Sequence, residues 1–97
     1  MKLQIQSIHF TINNDLNNLI KRKIFKIFNI DENILNTEIF LKIDKPSSYN
    51  NKIFEIKIQS SKSSYFAKKK SNTFEESLDL ALHALRKQIV KNKQIQR

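Results

Sequence analysis

The sequence predicts an α+β fold with the element order β-α-β-β-β-α. A four-stranded sheet is covered on one face by two helices, giving a two-layer sandwich. Three observations lead there. In four short stretches the apolar residues fall at every second position, the mark of half-buried strands. In two longer stretches they recur at helical spacing, as an amphipathic helix requires. Each alternating stretch keeps one polar face, so the sheet needs cover on one side only, and two amphipathic helices can supply it.

The first strand is KLQIQSI, where Leu3 and Ile5 alternate with Gln4 and Gln6. The period then changes. Leu16, Leu19, Ile20, Ile24, Ile27 and Phe28 line one side of a helix. Asn13, Asn14 and Asp15 offer side-chain oxygens to the free amides at its start, and Asn29 is a suitable place to stop. The second strand is TEIFLKID, with Ile39, Leu41 and Ile43 on one face. A turn follows over KPSSYNNK, which holds the sole proline, Pro46, and the Asn50-Asn51 pair. KIFEIKIQS is the third strand, with Phe54, Ile56 and Ile58 opposed to Glu55, Lys57 and Gln59. SKSS turns the chain again, into a short fourth strand, YFAKKK. The chain has no glycine, so any residue that must adopt positive φ has to be something else. In the last helix Thr73 and Glu76 have the spacing of a reciprocal capping box, and Glu75 and Glu76 suit the positive end of the helix dipole. Phe74, Leu78, Ala81, Leu82, Leu85 and Ile89 form its apolar stripe.

Ninety-seven residues correspond to one domain, 1–97. A domain of this size buries about 65% of the surface of its unfolded chain, so a deep enclosed active site is hard to build. With no cysteine, disulfides and thiolate metal sites are excluded, and a reducing cytosol is the simpler expectation. The N-terminus does not read as a signal peptide, because Gln4, Gln6 and Ser7 interrupt any apolar segment. Nor does any apolar run reach the length that spans a membrane. An enzyme is disfavoured. His9 and His83 fall in different elements without spaced partner ligands, Asp15, Asp31 and Asp44 are isolated, and a phosphate-cradling glycine loop is impossible. No metal or cofactor is expected.

The net charge is +9 and the isoelectric point about 9.9, which points to a polyanionic partner. Residues 21–26, 62–70 and 85–97 together hold 13 of the 18 basic residues. At about 100° per residue, Arg22, Lys23 and Lys26 lie along one flank of the first helix. On the last helix Lys87 and Lys91 occupy one flank, and Arg86, Lys93 and Arg97 the other. Like charges four apart cost a helix a few tenths of a kcal/mol, a cost that makes sense if a partner neutralises them. Rows of Lys and Arg suit phosphates. A membrane surface is disfavoured because the apolar helix faces are needed by the sheet. Fifteen of the basic residues are lysine, better suited to point-charge contact than to bidentate reading of bases. Recognition of folded RNA by shape and backbone fits best. Phe25, Phe40 and Tyr49 point away from the apolar faces and are candidates for stacking on bases.

Four stretches carry a resemblance to a known family: IHFT before the first helix, LIKRKIFKIF within it, EIFLKID in the second strand, and FAKKKSNTFEESLDLALHALRKQIVKNK at the end. The last is the most specific, closing on Leu85-x-x-Gln88-x-x-Lys91-x-Lys93. Over essentially its whole length the chain resembles the ribosome hibernation promoting factor family, also called ribosome-associated inhibitor A or the sigma-54 modulation protein family. The resemblance implies the same β-α-β-β-β-α fold, similar to a double-stranded RNA-binding domain with an added strand. It implies binding to the small ribosomal subunit, mainly to its 16S-type ribosomal RNA, in competition with messenger and transfer RNA, and silencing of translation under stress. By resemblance, Lys23, Lys26, Lys70, Lys87 and Lys91 match basic positions of the family. Arg22, Lys68, Lys69, Arg86 and Lys93 join them on charge and position alone. Long members carry a second, ribosome-pairing domain, and this chain ends before it would begin, so it is expected to act as a monomer when free and not to pair ribosomes by that route. A general structured-RNA-binding module is the alternative, and a purely structural or protein-interaction role a further one.

Overall fold

The computed structural model describes residues 2–45 and 49–95, with the side chains of residues 94 and 95 left aside. Pro46 and Arg97 lie outside the described residues. The order of elements is β1 (Lys2–Ser7), α1 (Asn14–Phe28), β2 (Ile34–Ile43), β3 (Lys52–Ser60), β4 (Ser64–Ser71) and α2 (Phe74–Ile95). The α+β architecture expected from the sequence is therefore present. The sheet runs β1-β2-β3-β4. Strands β2, β3 and β4 are antiparallel neighbours, while β1 lies parallel to β2. Parallel neighbours need a long crossover, and α1 is that crossover.

Two cross-strand rows set the inner face. Ile39 pairs with Ile56 and Ile56 with Ala67, and Leu41 pairs with Phe54. All five are buried and join a single cluster with Ile20, Ile24 and Ile27 of α1 and Leu78, Ala81, Leu82, Leu85 and Ile89 of α2. Both helices therefore sit on the same side of the sheet. Two positions, one at each end of β2, depart from the simple alternation. β2 begins at Ile34, three residues before the expected start at Thr37, and its register slips between Ile34 and Asn36. This bulge turns Leu35 outward, where it is exposed. At the other end Ile43, expected on the buried face, is exposed, because the strand has run past the cluster.

The helix starts are fixed by side chains. Asn13 Oδ1 accepts from the Leu16 amide at 2.8 Å, and Thr73 Oγ1 accepts from the Glu76 amide at 3.1 Å. The reciprocal half of the capping box is replaced: the Thr73 amide donates to Ser71 Oγ at 3.3 Å. Phe10 and Phe74 stack with ring centroids 5.3 Å apart, tying together the two ends at which the helices begin. In the absence of glycine, positive φ falls on His9 (66°), Lys45 (37°) and Asn50 (54°). Asn is among the residues that tolerate this region best.

Strand β4 is an edge, and α2 seals it. The Gln88 side chain acts as a short stand-in for a fifth strand: its Nε2 donates to Phe66 O at 2.8 Å and its Oε1 accepts from the Phe66 amide at 3.3 Å. One turn later Asn92 Nδ2 donates to Ser63 Oγ at 2.7 Å and Tyr65 Oη at 2.9 Å. Unpaired edge groups invite pairing with other chains, so this clamp both holds α2 and blunts the edge. Gln88→Ala is expected to cost about 1–2 kcal/mol, the worth of two ordinary hydrogen bonds. Urea denaturation measures this, and an unmoved midpoint would show the clamp to be idle.

Candidate nucleic-acid interface

The two helices run side by side over the sheet, and their polar flanks meet in a cleft of about 240 Å³ lined by Lys23, Lys26, Asp79, Leu82, His83 and Arg86. The floor is Leu82, part of the core stripe. The rim is cationic because each helix turns its charged flank toward the other. Lys23 pairs with Asp79. Lys26 and Arg86 have no carboxylate partner among the described residues.

The cleft does not stop at the helix pair. A shallower depression of about 420 Å³ lies along α2, lined by His83, Arg86, Lys87, Val90 and Lys91. It shares His83 and Arg86 with the cleft, so the two form one continuous ridge-and-groove surface. Arg86, placed by its wheel angle on the flank opposite Lys87 and Lys91, in fact stands at the junction between the two hollows. Lys23, Lys26, Arg86, Lys87 and Lys91 thus share one surface on which, among the described residues, Asp79 is the sole carboxylate lining either hollow. Arg22 is exposed on α1 beside it and lines neither hollow.

The remaining candidates go elsewhere. The Lys93 ammonium folds back onto the carbonyl of Ile30, just past the end of α1, where the negative end of the helix dipole favours a cation. Lys68 and Lys70 extend from the sheet face away from the helices. Lys68 Nζ lies 3.4 Å and Lys42 Nζ 3.2 Å from Glu55 Oε1. Lys70 Nζ lies 2.7 Å from Asp44 Oδ2, and this hydrogen bond and charge hold the Asp44 carboxyl below its ordinary value. The Lys70–Asp44 pair is open to solvent and screened by it, whereas Glu55 is buried beneath its two lysines. Lys69 pairs across the sheet with the buried Phe54 and so leaves the strand on the helix side, where it is exposed at the edge.

Of the aromatic candidates, Tyr49 is almost wholly exposed. Phe25 is exposed and meets Phe28 edge-on at 5.7 Å. Phe40 is half-buried beneath Lys57, whose Nζ is 5.8 Å from the ring centroid. Two residues escaped the sequence reading. His83 lines both hollows, and its positions three and four before Arg86 and Lys87 could have placed it there. Phe66 is exposed on the open sheet face. Its place between the inward Tyr65 and Ala67 was a usable signal. No helix among the described residues is long and apolar enough to cross a membrane.

Residues 3–97 match the family model described as sigma 54 modulation protein / S30EA ribosomal protein. Among solved structures, a ribosomal subunit interface protein from Coxiella burnetii is similar with a TM-score of 0.86 at 26% identity, covering 97% of this chain and 99% of that one. The N-terminal domain of Protein Y from Thermus thermophilus is similar with a TM-score of 0.73 at 14% identity, covering 91% of each chain. At that identity the second likeness speaks to the fold alone. No curated protein matches the sequence significantly.

Proposed function

The chain belongs to the sigma 54 modulation protein / S30EA ribosomal protein family, and from that premise we propose that it is a ribosome hibernation factor. It binds the small ribosomal subunit where messenger and transfer RNA would lie, and so blocks translation under stress in the cytoplasm. The observation that carries this reading is the shared cationic surface of α1 and α2, where Lys23, Lys26, Arg86, Lys87 and Lys91 stand together. The spacing of ammonium and guanidinium groups along two parallel rods suits the phosphates of a folded RNA, which is read by shape and backbone rather than by base edges. The chemistry is binding, with no reaction to catalyse. Supporting it, the similar Coxiella burnetii protein is called a ribosomal subunit interface protein.

Sedimentation of the purified protein with small subunits tests the reading. Co-sedimentation should be lost when transfer RNA is added in excess. Equal affinity for free duplex RNA at matched salt would instead mark a general RNA-binding module. The double substitution Lys87→Ala with Lys91→Ala should weaken small-subunit binding by roughly tenfold to a hundredfold, since charge-assisted hydrogen bonds contribute about 1.5–3 kcal/mol each before partial compensation. The same change should leave the melting temperature of the free protein unchanged or slightly higher, because it removes a like-charge pair four residues apart. Undiminished co-sedimentation of the double variant would refute the site.

A further inference from the structure

We propose that the open face of the sheet carries a second nucleic-acid site, a pocket for one unpaired nucleobase bearing an exocyclic amine. It lies on the side of the sheet away from the helices, so it stands or falls separately from the ribosomal reading. Glu38, Lys57 and Phe66 are paired in register across β2, β3 and β4 and therefore project together from this face. They border a depression of about 540 Å³ that Asn36 and Gln59 also line, a size within the range of small-ligand sites.

The groups in this pocket divide into those already engaged and those free. Gln59 is engaged: its Nε2 donates to Ser60 O at 2.9 Å and its Oε1 accepts from Ser64 Oγ at 2.7 Å. Asn36 Oδ1 has no hydrogen-bond partner among the described residues, but it is shielded from solvent and so closed to a ligand. Glu38 has no ion pair among the described residues. Its neighbour Lys57 sits instead over the Phe40 ring. Phe66 is 47% exposed and its backbone is held by Gln88, so the aromatic wall is fixed at its base. What remains open is an aromatic surface and a carboxylate without an ion pair, beside a lysine whose ammonium rests over the Phe40 ring.

A nucleotide matches that set. Its base stacks on Phe66, a contact open to any base. Its exocyclic amine donates to the Glu38 carboxylate, as acidic side chains accept from the cytosine N4 amine. Its phosphate meets Lys57. Uracil places a carbonyl oxygen where cytosine places the amine, so it sets an acceptor against the Glu38 carboxylate. A ligand that is only cationic would also find the carboxylate, but it would face Lys57 and a chain of net charge +9. The ligand must bring its own anion.

The test is a fluorescence anisotropy titration of the whole protein with short labelled oligocytidylate and oligouridylate at one salt concentration. Both strands are pyrimidine homopolymers and carry the same backbone charge. Oligocytidylate should bind at least about fivefold more tightly, in line with the discrimination of one well-placed base contact. Phe66→Ala should lower cytidylate affinity roughly tenfold. Phe66→Leu, which keeps apolar bulk and the fold, should lose most of the same affinity with an unchanged melting temperature. Glu38→Gln should abolish the preference by raising uridylate affinity toward that of cytidylate. The Lys87→Ala with Lys91→Ala protein should keep the preference. Equal binding of the two strands by the parent protein, or full cytidylate affinity in both Phe66 variants, overturns the proposal.

Discussion

Raising the salt concentration from about 50 to about 200 mM is expected to weaken binding to the small ribosomal subunit by about a thousandfold. The expectation follows from the number of cations that one RNA surface can meet at once. Lys23, Lys26, Arg86, Lys87 and Lys91 line the two joined hollows, and Arg22 stands exposed beside them. Each phosphate neutralised releases condensed counterions, and the logarithm of affinity falls by about 0.9 per contact for each decade of salt. Six contacts over a fourfold change give the thousandfold loss. The lysines beside Glu55 and Asp44 do not enter the count because they leave the opposite face of the sheet, whereas Lys23 exchanges Asp79 for a phosphate on binding. A binding titration at four or five salt concentrations measures the slope. In the Lys87→Ala with Lys91→Ala protein the slope should drop by about two contacts. A loss of only tenfold in the parent protein would mean that two phosphates at most are engaged, too few for this surface to be the interface.

Phe54→Ala should destabilise the free protein by about 3–5 kcal/mol. Phe54 is fully buried at the middle of the sheet, in register with Leu41 on one side and beneath the helices in the single core cluster. Removing the ring deletes contacts with both layers, and the surrounding side chains are branched and anchored on strands, so the cavity cannot close fully. Domains of this size have a total stability of about 5–15 kcal/mol, so the variant should melt roughly 15–30 °C lower. Calorimetry or circular dichroism reads the shift. Affinity for the subunit should fall with it near the new melting temperature, since the cationic surface exists only while the two helices are held side by side. A loss below about 1 kcal/mol would show that the inner face is not what unites the layers.

Element type and order were legible in the sequence because period-two and period-3.6 patterns survive in every element. Thr73 and Asn13 were legible as caps because a cap is a local contact within three residues. The bulge at Leu35 was not, since nothing local distinguishes it from continued alternation, and pairing with β3 decides it. The Thr73 amide chose Ser71 over Glu76 for a similar reason: β4 delivers Ser71 to that spot.

For the candidate site the division is sharper. Wheel angles identified the charged flanks of each helix correctly as flanks, but an angle on one helix carries no information about what faces it from another. That is why Arg86 was parted from Lys87 and Lys91, why His83 read only as an isolated histidine, and why Lys93 was grouped with the open cations when it reaches Ile30 in the connection between α1 and β2. Lys68 and Lys70 share a charge run with Lys69, yet strand alternation sends them to the opposite side of the sheet from the helices. The amino-acid order alone determined which residues are apolar, which are charged and with what local period, because those depend on neighbours a few positions away. Only the tertiary structure decided which cations stand together and which are tied to Asp79, Glu55 or Asp44, because charges interact through space, and folding brings together residues more than fifty positions apart.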